Sequence, residues 1–192
     1  PGNKTSQLAA QVAPGHVIAC ERNEKRAAIL GKRVGAAAGG CVSVKMIDFL
    51  QLSPEDESVK HAVNQRGEAH SAAQGGFSPS SRLASLAAMQ LRLLSHALTF
   101  PSLTTLVYST CSVHPIENEV VVAALLASPR AKEGGWRLAS PPALEGWACR
   151  GVPLQGCLGE EQSSKLIRAG PFLQTNGFFV ARFERQVKRE AK

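Results

Sequence analysis

The sequence has few of the features that mark extracellular, metal-bound or membrane-embedded proteins. Its 192 residues include five cysteines, an odd number without metal-like spacing, which argues against a disulfide framework and against a zinc cluster. No apolar run approaches the roughly 18 residues of a membrane span, and no basic-then-apolar leader opens the chain. We therefore expect a soluble, intracellular protein with free thiols, without a bound metal and without membrane contact.

Charge is unbalanced towards the basic side. Lys and Arg number 22 against 15 acidic residues, a net charge of +7. This surplus favours a polyanionic partner, although a solvated basic surface would give the same count. The length and an apolar content of 44% suit one domain, which we expect to be monomeric. Because the chain opens with Pro1 inside a predicted loop, we interpret it as a fragment.

Strands and helices alternate in the first 50 residues. Short apolar runs at 16–21 and 41–49 predict buried strands. Between them, Ala27, Leu30 and Val34 recur at helical spacing and predict a helix. This alternation favours an α/β fold with a parallel sheet and crossover helices.

The second half begins with a different composition. Residues 52–79 are polar and rich in glycine, without an apolar run of strand length, and predict a loop or a disordered segment. A helix follows, whose apolar stripe holds Leu83, Leu86, Gln90, Leu93 and Ala97. The later pattern predicts a strand at 103–110, a helix opening at Pro115 and a final strand in "NGFFVARFER" (176–185).

Several polar residues are predicted at the carboxyl ends of strands, where open α/β sheets bind ligands. Glu21 either accepts hydrogen bonds from the two hydroxyls of a ribose or is an exposed acid at the start of a helix. Asp48 could accept from an adenine amino group, and Arg26 is either a cofactor contact or a surface charge. The turn at Gly2, with Lys4 nearby, brings backbone amides close to a ligand or merely opens a helix.

Cys111 ends the predicted strand at 103–110, and two interpretations are open. It is either a small buried apolar residue or a thiol presented to a substrate at the sheet edge. The amino end of the following helix would favour a thiolate there. His114 lies only three residues further on, but an isolated histidine so placed is more typical of a surface or capping position.

Five segments in this order carry a family resemblance: "PGNKTSQLA", "VIACERNEKR", "MIDFL", "LVYSTCSVHPIENEVVV" and "NGFFVARFER". The chain resembles the Sun/Fmu (NSUN-type) RNA 5-methylcytosine methyltransferases, most of all the NSUN5-type branch that acts on large-subunit ribosomal RNA. The resemblance implies a Rossmann-like, mostly parallel sheet that binds S-adenosylmethionine, and an RNA substrate with its cytosine unstacked. In a eukaryote it implies the nucleus or nucleolus.

The resemblance also implies roles for individual residues. Cys111 would be the nucleophile that adds to carbon 6 of cytosine, which activates carbon 5 for methylation. The cofactor would contact the following positions: Pro1, Gly2, Asn3, Lys4, Glu21, Arg26 and Asp48.

Two parts of the family pattern are missing from the sequence. The Asp-Pro-Pro-Cys or Asp-Pro-Ser-Cys segment that ends the family's fourth strand should fall within 52–79, which contains neither Asp-Pro nor cysteine. The family's first strand should precede Pro1. We therefore expect residues 1–192 to be a partial catalytic domain without the first and fourth strands. Alternatives are a degenerate homologue that kept RNA binding and an enzyme that lost one motif.

Overall fold

The protein forms two compact units, Pro1–Val63 and Asn64–Lys192, in a computed structural model. The structure describes residues 2–12, 15–37, 40–56, 65–67 and 79–186. The boundary between the units falls inside the polar segment 52–79, which has little apolar surface to bury.

The first unit alternates helix and strand as the sequence predicts. Its elements are helix α1 (Asn3–Val12), strand β1 (Val17–Cys20), helix α2 (Glu24–Ala37) and strand β2 (Val42–Lys45). The two strands pair in parallel, with Val17 opposite Val42, across the connection made by α2. The buried face of α2 consists of Ala27, Leu30 and Val34, which confirms the predicted helical stripe.

Among the described residues, the second unit contains a five-stranded sheet with four helices. The strands are β3 (Gln65–Gly67), β4 (Thr105–Thr110), β5 (Trp136–Ala139), β6 (Ile167–Ala169) and β7 (Phe178–Arg185). The helices are α3 (Pro79–Ala97), α4 (Glu119–Ala127), α5 (Pro129–Glu133) and α6 (Glu160–Ser163). Strand order is β3-β4-β7-β5, with β6 pairing further along β7.

The pair β4–β7 forms the centre of this unit because both strands bury alternate residues on the same face. Leu106 lies opposite Phe183, Tyr108 opposite Ala181 and Thr110 opposite Phe179. All six residues are buried, so the register is fixed by the core. The same register brings the end of β4, and therefore Cys111, to the start of β7.

Two expectations about the sheet are wrong in part. The sequence predicts no strand in 52–79, yet Gln65–Gly67 pairs in parallel with β4, since backbone pairing does not require an apolar sequence. The sequence also predicts mostly parallel pairing, whereas β7 runs antiparallel to β4, β5 and β6. The connection from β6 to β7, residues 170–177, is short and contains no crossover helix, which suits antiparallel pairing. Most of 52–79 lies outside the described residues.

Within the described ranges, no helix combines the length and the apolar character needed to cross a bilayer.

Candidate active site

The exposed cysteine at the end of β4 occupies a short loop, residues 111–114, called here the Cys111 loop. Cys111 is exposed to solvent, so it is not the buried filler that composition alone would allow. It stands next to the buried Thr110, the last residue of β4. The backbone therefore passes from a buried strand residue directly into a solvent-exposed cysteine.

Ser112 anchors the loop on the other side of Cys111 through all of its polar groups. Its N–H donates to Thr110 Oγ1 (3.2 Å), and its hydroxyl donates to Glu117 Oε2 (2.7 Å). Its carbonyl accepts from Asn118 Nδ2 (2.9 Å), while Asn118 Oδ1 accepts from Thr110 Oγ1 (2.6 Å). Asn118 thus bridges the two residues that flank Cys111.

The "ENE" segment, Glu117 to Glu119, is buried rather than being the solvated first turn of a helix. Glu117 is 7% exposed, and Asn118 and Glu119 are fully buried. The sequence predicts that the helix opens at Pro115, but Pro115–Glu117 is a 3₁₀ turn and α4 begins at Glu119. The turn directs these side chains inwards, where Gln90 of α3 donates to Glu117 Oε1 (3.0 Å).

Glu119 forms a buried ion pair with Arg168 of β6. The guanidinium donates from Nε to Oε1 (2.6 Å) and from Nη2 to Oε2 (2.6 Å), which is the strong two-armed geometry. The backbone N–H of Val152 also donates to Glu119 Oε1 (3.0 Å). The third arm of Arg168, Nη1, donates to the carbonyl of Val113 in the Cys111 loop (3.0 Å).

Tyr108 supports the same turn from inside the core. Its hydroxyl donates to the backbone carbonyl of Glu117, and its ring meets Phe179 edge-on at a centroid distance of 6.1 Å. Burial, and secondly the negative charge of Glu117, raise the pKa of the Tyr108 hydroxyl. Tyr108 therefore stays protonated and donates this hydrogen bond throughout the neutral pH range.

His114 serves the loop through its backbone. Its N–H donates to Ser112 Oγ (3.2 Å) and so extends the network that begins at Thr110. This backbone contact gives His114 a structural place in the loop.

Glu21 and Arg26, two positions assigned to the cofactor, lie together in the first unit. Arg26 Nε donates to Glu21 Oε2 (2.8 Å), and the N–H of Asn23 donates to Oε1 (3.1 Å). The Glu21 N–H continues the β1–β2 ladder by donating to the Lys45 carbonyl (3.0 Å). The carboxylate is therefore held at the carboxyl end of β1, as the sequence predicts.

Asp48 follows β2 at the same edge. Its Oδ1 accepts from the Leu50 N–H (3.0 Å) and caps the 3₁₀ turn Phe49–Gln51. Its Oδ2 lies 3.9 Å from Nη1 of Arg22, a residue that the sequence did not single out. Glu21 and Asp48 thus provide carboxylates at the ends of adjacent parallel strands.

Gly2 has a structural reason to be glycine. Its φ is +95°, and a Cβ there would lie 2.9 Å from Leu30 Cδ1 of α2. Asn3 begins α1, and its side-chain oxygen accepts from Arg33 of α2. Lys4 lies in the first turn of α1, and Pro1 lies outside the described residues. The turn therefore packs the start of α1 against α2.

In the part of the chain that the structure describes, no group of three or more His, Cys, Asp or Glu side chains is placed to hold a metal ion.

Comparison with known proteins finds relatives that match nearly the whole chain. The chain is 35% identical, over 98% of its length, to the 25S rRNA (cytosine-C(5))-methyltransferase NSUN5 of Arabidopsis thaliana. It is 38% identical, over 96% of its length, to the 28S rRNA (cytosine-C(5))-methyltransferase of Mus musculus. The chain is therefore similar to NSUN5-type methyltransferases over nearly its whole length. It spans 35% and 40% of the lengths of these two relatives, and no family model matches it.

A solved structure shows that the fold is that of the NSUN methyltransferases. NSun6 from Pyrococcus horikoshii, crystallised with SFG, superposes with a TM-score of 0.69 over 96% of this chain and 45% of its own, at 22% identity. The α/β, Rossmann-like fold class predicted from the sequence is thereby confirmed.

Sequence reasoning missed several residues that build the Cys111 loop. Gln90 gave a signal, because it is a polar residue on the apolar stripe of α3, and it proves to be buried against Glu117. The "ENE" segment was recognised through the family resemblance and not through its contacts. Arg168 gave no signal, because it is separated from Glu119 by 49 positions.

Proposed function

We propose that this protein methylates carbon 5 of cytosine in ribosomal RNA, with Cys111 as the nucleophile and S-adenosylmethionine as the methyl donor. The observation that carries the proposal is the exposed thiol of Cys111 between two residues, Thr110 and Ser112, that a buried network holds in place. A nucleophile needs both access and fixed geometry, and this loop provides both. The relatives named above carry rRNA cytosine-C5 methylation in their names.

The chemistry explains why a cysteine is needed. Carbon 5 of cytosine is a poor nucleophile, and addition of the Cys111 thiolate to carbon 6 forms an S–C6 bond and shifts the ring electrons towards carbon 5. After carbon 5 has gained its methyl group, a base removes its proton and the thiolate leaves, which restores the C5–C6 double bond. The cytosine must be unstacked for this attack, so single-stranded or flipped-out RNA is the expected substrate.

The first unit supplies groups that fit the cofactor. When bound, S-adenosylmethionine supplies a sulfonium methyl group, and the related NSun6 structure was determined with its analogue SFG. Glu21 would accept from the ribose hydroxyls, since a carboxylate at the end of β1 has lone pairs beyond those used by Arg26 and Asn23. Asp48 would hold the adenine end. Asn3 and Lys4, in the first turn of α1, would also contact the cofactor, together with Gly2 and Pro1 before them.

The net charge of +7 supports RNA as the partner, because phosphate contacts release counterions and depend on basic residues. Because ribosomal RNA is the proposed substrate, we expect the protein in the nucleolus if its source is a eukaryote. That the protein acts as a monomer stays a prediction.

A second candidate is a non-catalytic RNA-binding or assembly module on the same fold. The observation that favours it is the absence of Asp-Pro-x-Cys from the sequence at 52–79. Calorimetry with S-adenosylmethionine separates the two candidates, since a purely structural module has no need to bind the methyl donor.

The direct test is methyl transfer to unmodified ribosomal RNA by the longest natural chain that carries this sequence. We expect 5-methylcytosine to form with the wild type and with Cys157→Ala, a control at another exposed cysteine. We expect none with Cys111→Ala. Equal product from Cys111→Ala and the wild type would overturn the assignment of the nucleophile.

A further inference from the structure

We propose that Arg168 is a positioning residue for Cys111, acting through the backbone of the Cys111 loop. This inference rests on the proposed function, because it concerns how the nucleophile of that reaction is held. Arg168 belongs to β6 and lies 57 positions after Cys111 in the sequence, outside the segment that carries the cysteine motif.

The three guanidinium nitrogens of Arg168 donate to different acceptors. Nε and Nη2 each donate to a different oxygen of Glu119, at 2.6 Å, and Nη1 donates to the Val113 carbonyl at 3.0 Å. Glu119 is the first residue of α4, and Val113 lies two residues after Cys111. One planar guanidinium therefore connects the helix that follows the loop with the loop itself.

Arg168 is itself held firmly by the fold. Its side chain is 14% exposed, and the guanidinium carbon lies 5.8 Å from the centre of the Phe179 ring. Its backbone carbonyl accepts from Trp147 Nε1 (2.8 Å), and its N–H donates to the Cys149 carbonyl (3.1 Å). Because these contacts hold Arg168 in place, its hydrogen bond to Val113 can fix the position of the Cys111 loop.

Gly177, just before β7, lies on another side of the loop. A Cβ at Gly177 would stand 2.5 Å from Val113 Cγ1 and 3.4 Å from the Cys111 carbonyl. The side chain of Val113 thus lies against Gly177, and its carbonyl accepts from Arg168. With Asn118 bridging Thr110 and Ser112, the backbone on both sides of Cys111 is fixed.

The variant Arg168→Lys distinguishes the positioning of the loop from the neutralisation of Glu119. A lysine ammonium can still neutralise the buried carboxylate of Glu119, but it lacks the planar fork that serves Glu119 and Val113 together. The matched control is Arg185→Lys. Arg185 also donates to backbone carbonyls, those of Gly134 and Pro101, but its backbone pairs with Thr104 near the start of β4, away from Cys111.

The test measures covalent adduct formation in single turnover, with the longest natural chain and RNA carrying 5-azacytosine. We expect Arg168→Lys to slow adduct formation roughly tenfold or more, because small misplacements of a reacting group have large effects on rate. RNA affinity and the thermal midpoint should change little. Amide hydrogen exchange at Ser112 and His114 should accelerate, since both N–H groups bond within the loop. Arg185→Lys should leave rate and exchange as in the wild type.

A folded Arg168→Lys protein with the wild-type rate and wild-type exchange would overturn the positioning role. If Arg168→Lys does not fold, the double variant Arg168→Met with Glu119→Gln removes both buried charges and keeps an acceptor for the Val152 N–H. The same slow adduct formation would then support the role, and the wild-type rate would overturn it. Adduct formation that does not need Cys111 would instead contradict the proposed function.

Discussion

Asn118 Nδ2 donates a hydrogen bond to the carbonyl of Ser112 at 2.9 Å, inside the protein and one residue beyond the exposed Cys111. The other side-chain atom of Asn118 accepts from Thr110, one residue before Cys111. A single amide therefore fixes the distance across the cysteine, which an apolar or acidic residue at this position could not do.

Removal of this amide should weaken both the fold and the loop. We expect Asn118→Ala to lower the free energy of unfolding by about 1–3 kcal/mol, because it removes the donor to the Ser112 carbonyl and the acceptor of the Thr110 hydroxyl. Chemical denaturation measures this change. Asn176→Ala, at an exposed asparagine, is the control and should change stability by less than about 0.5 kcal/mol. Equal stability of the two variants would count against the bridge.

Tyr108 should make the fold sensitive to alkaline pH. In the unfolded chain a tyrosine loses its proton near pH 10. In the folded protein the pKa of Tyr108 is raised, so above about pH 10 the unfolded state binds fewer protons and stability falls as pH rises. Tyr108 is the single tyrosine of the 192 residues, so tyrosinate absorbance reports on it alone. We expect tyrosinate to appear together with unfolding. Ordinary titration near pH 10 in a folded protein would contradict this.

Gly177 should not tolerate a side chain. Gly177→Ala would place Cβ 2.5 Å from Val113 Cγ1, and Val113, a β-branched residue within the Cys111 loop, cannot move away without cost. We expect Gly177→Ala to destabilise the protein by about 1–3 kcal/mol. Gly146→Ala is the matched control, because no atom lies within 4 Å of its Cβ position. Thermal unfolding compares the two, and an equal midpoint would refute the close packing.

Glu21 should matter for the methyl donor more than for the fold. We expect Glu21→Gln to weaken S-adenosylmethionine binding roughly tenfold, which corresponds to about 1.4 kcal/mol, through loss of charged hydrogen bonds to ribose. Stability should change by less than about 1 kcal/mol, because the partner Arg26 is partly exposed. Calorimetry on the longest natural chain measures the affinity, with Glu24→Gln in the first turn of α2 as control. Equal affinities of both variants would remove Glu21 from the cofactor site.

The sequence predicts those elements that depend on local pattern. Ala27, Leu30 and Val34 are buried at helical spacing in α2, and the alternate residues of "FFVARF" are buried in β7. Position at a strand end also placed Cys111 and Glu21 correctly at their sheet edges. Each of these inferences needed only neighbours within a few residues.

The features that the sequence could not predict depend on contacts between residues that are far apart in the chain. Acidic residues near a helix start ordinarily face solvent, and nothing near Glu119 in the sequence indicates that Arg168 neutralises it. Gln90 and Glu117 meet across 27 positions. The strand Gln65–Gly67 was missed because its pairing with β4 uses backbone groups, which a polar sequence does not reveal.

The central claim is that Cys111 forms a covalent bond to cytosine, and trapping tests it most directly. RNA carrying 5-azacytosine at the target position should form a stable adduct with the longest natural chain, seen as a shifted band under denaturing conditions. Mass spectrometry should place the RNA on Cys111. Cys157→Ala should be trapped like the wild type, and Cys111→Ala should not be trapped. Equal trapping of Cys111→Ala, or an adduct on another cysteine, would contradict the account.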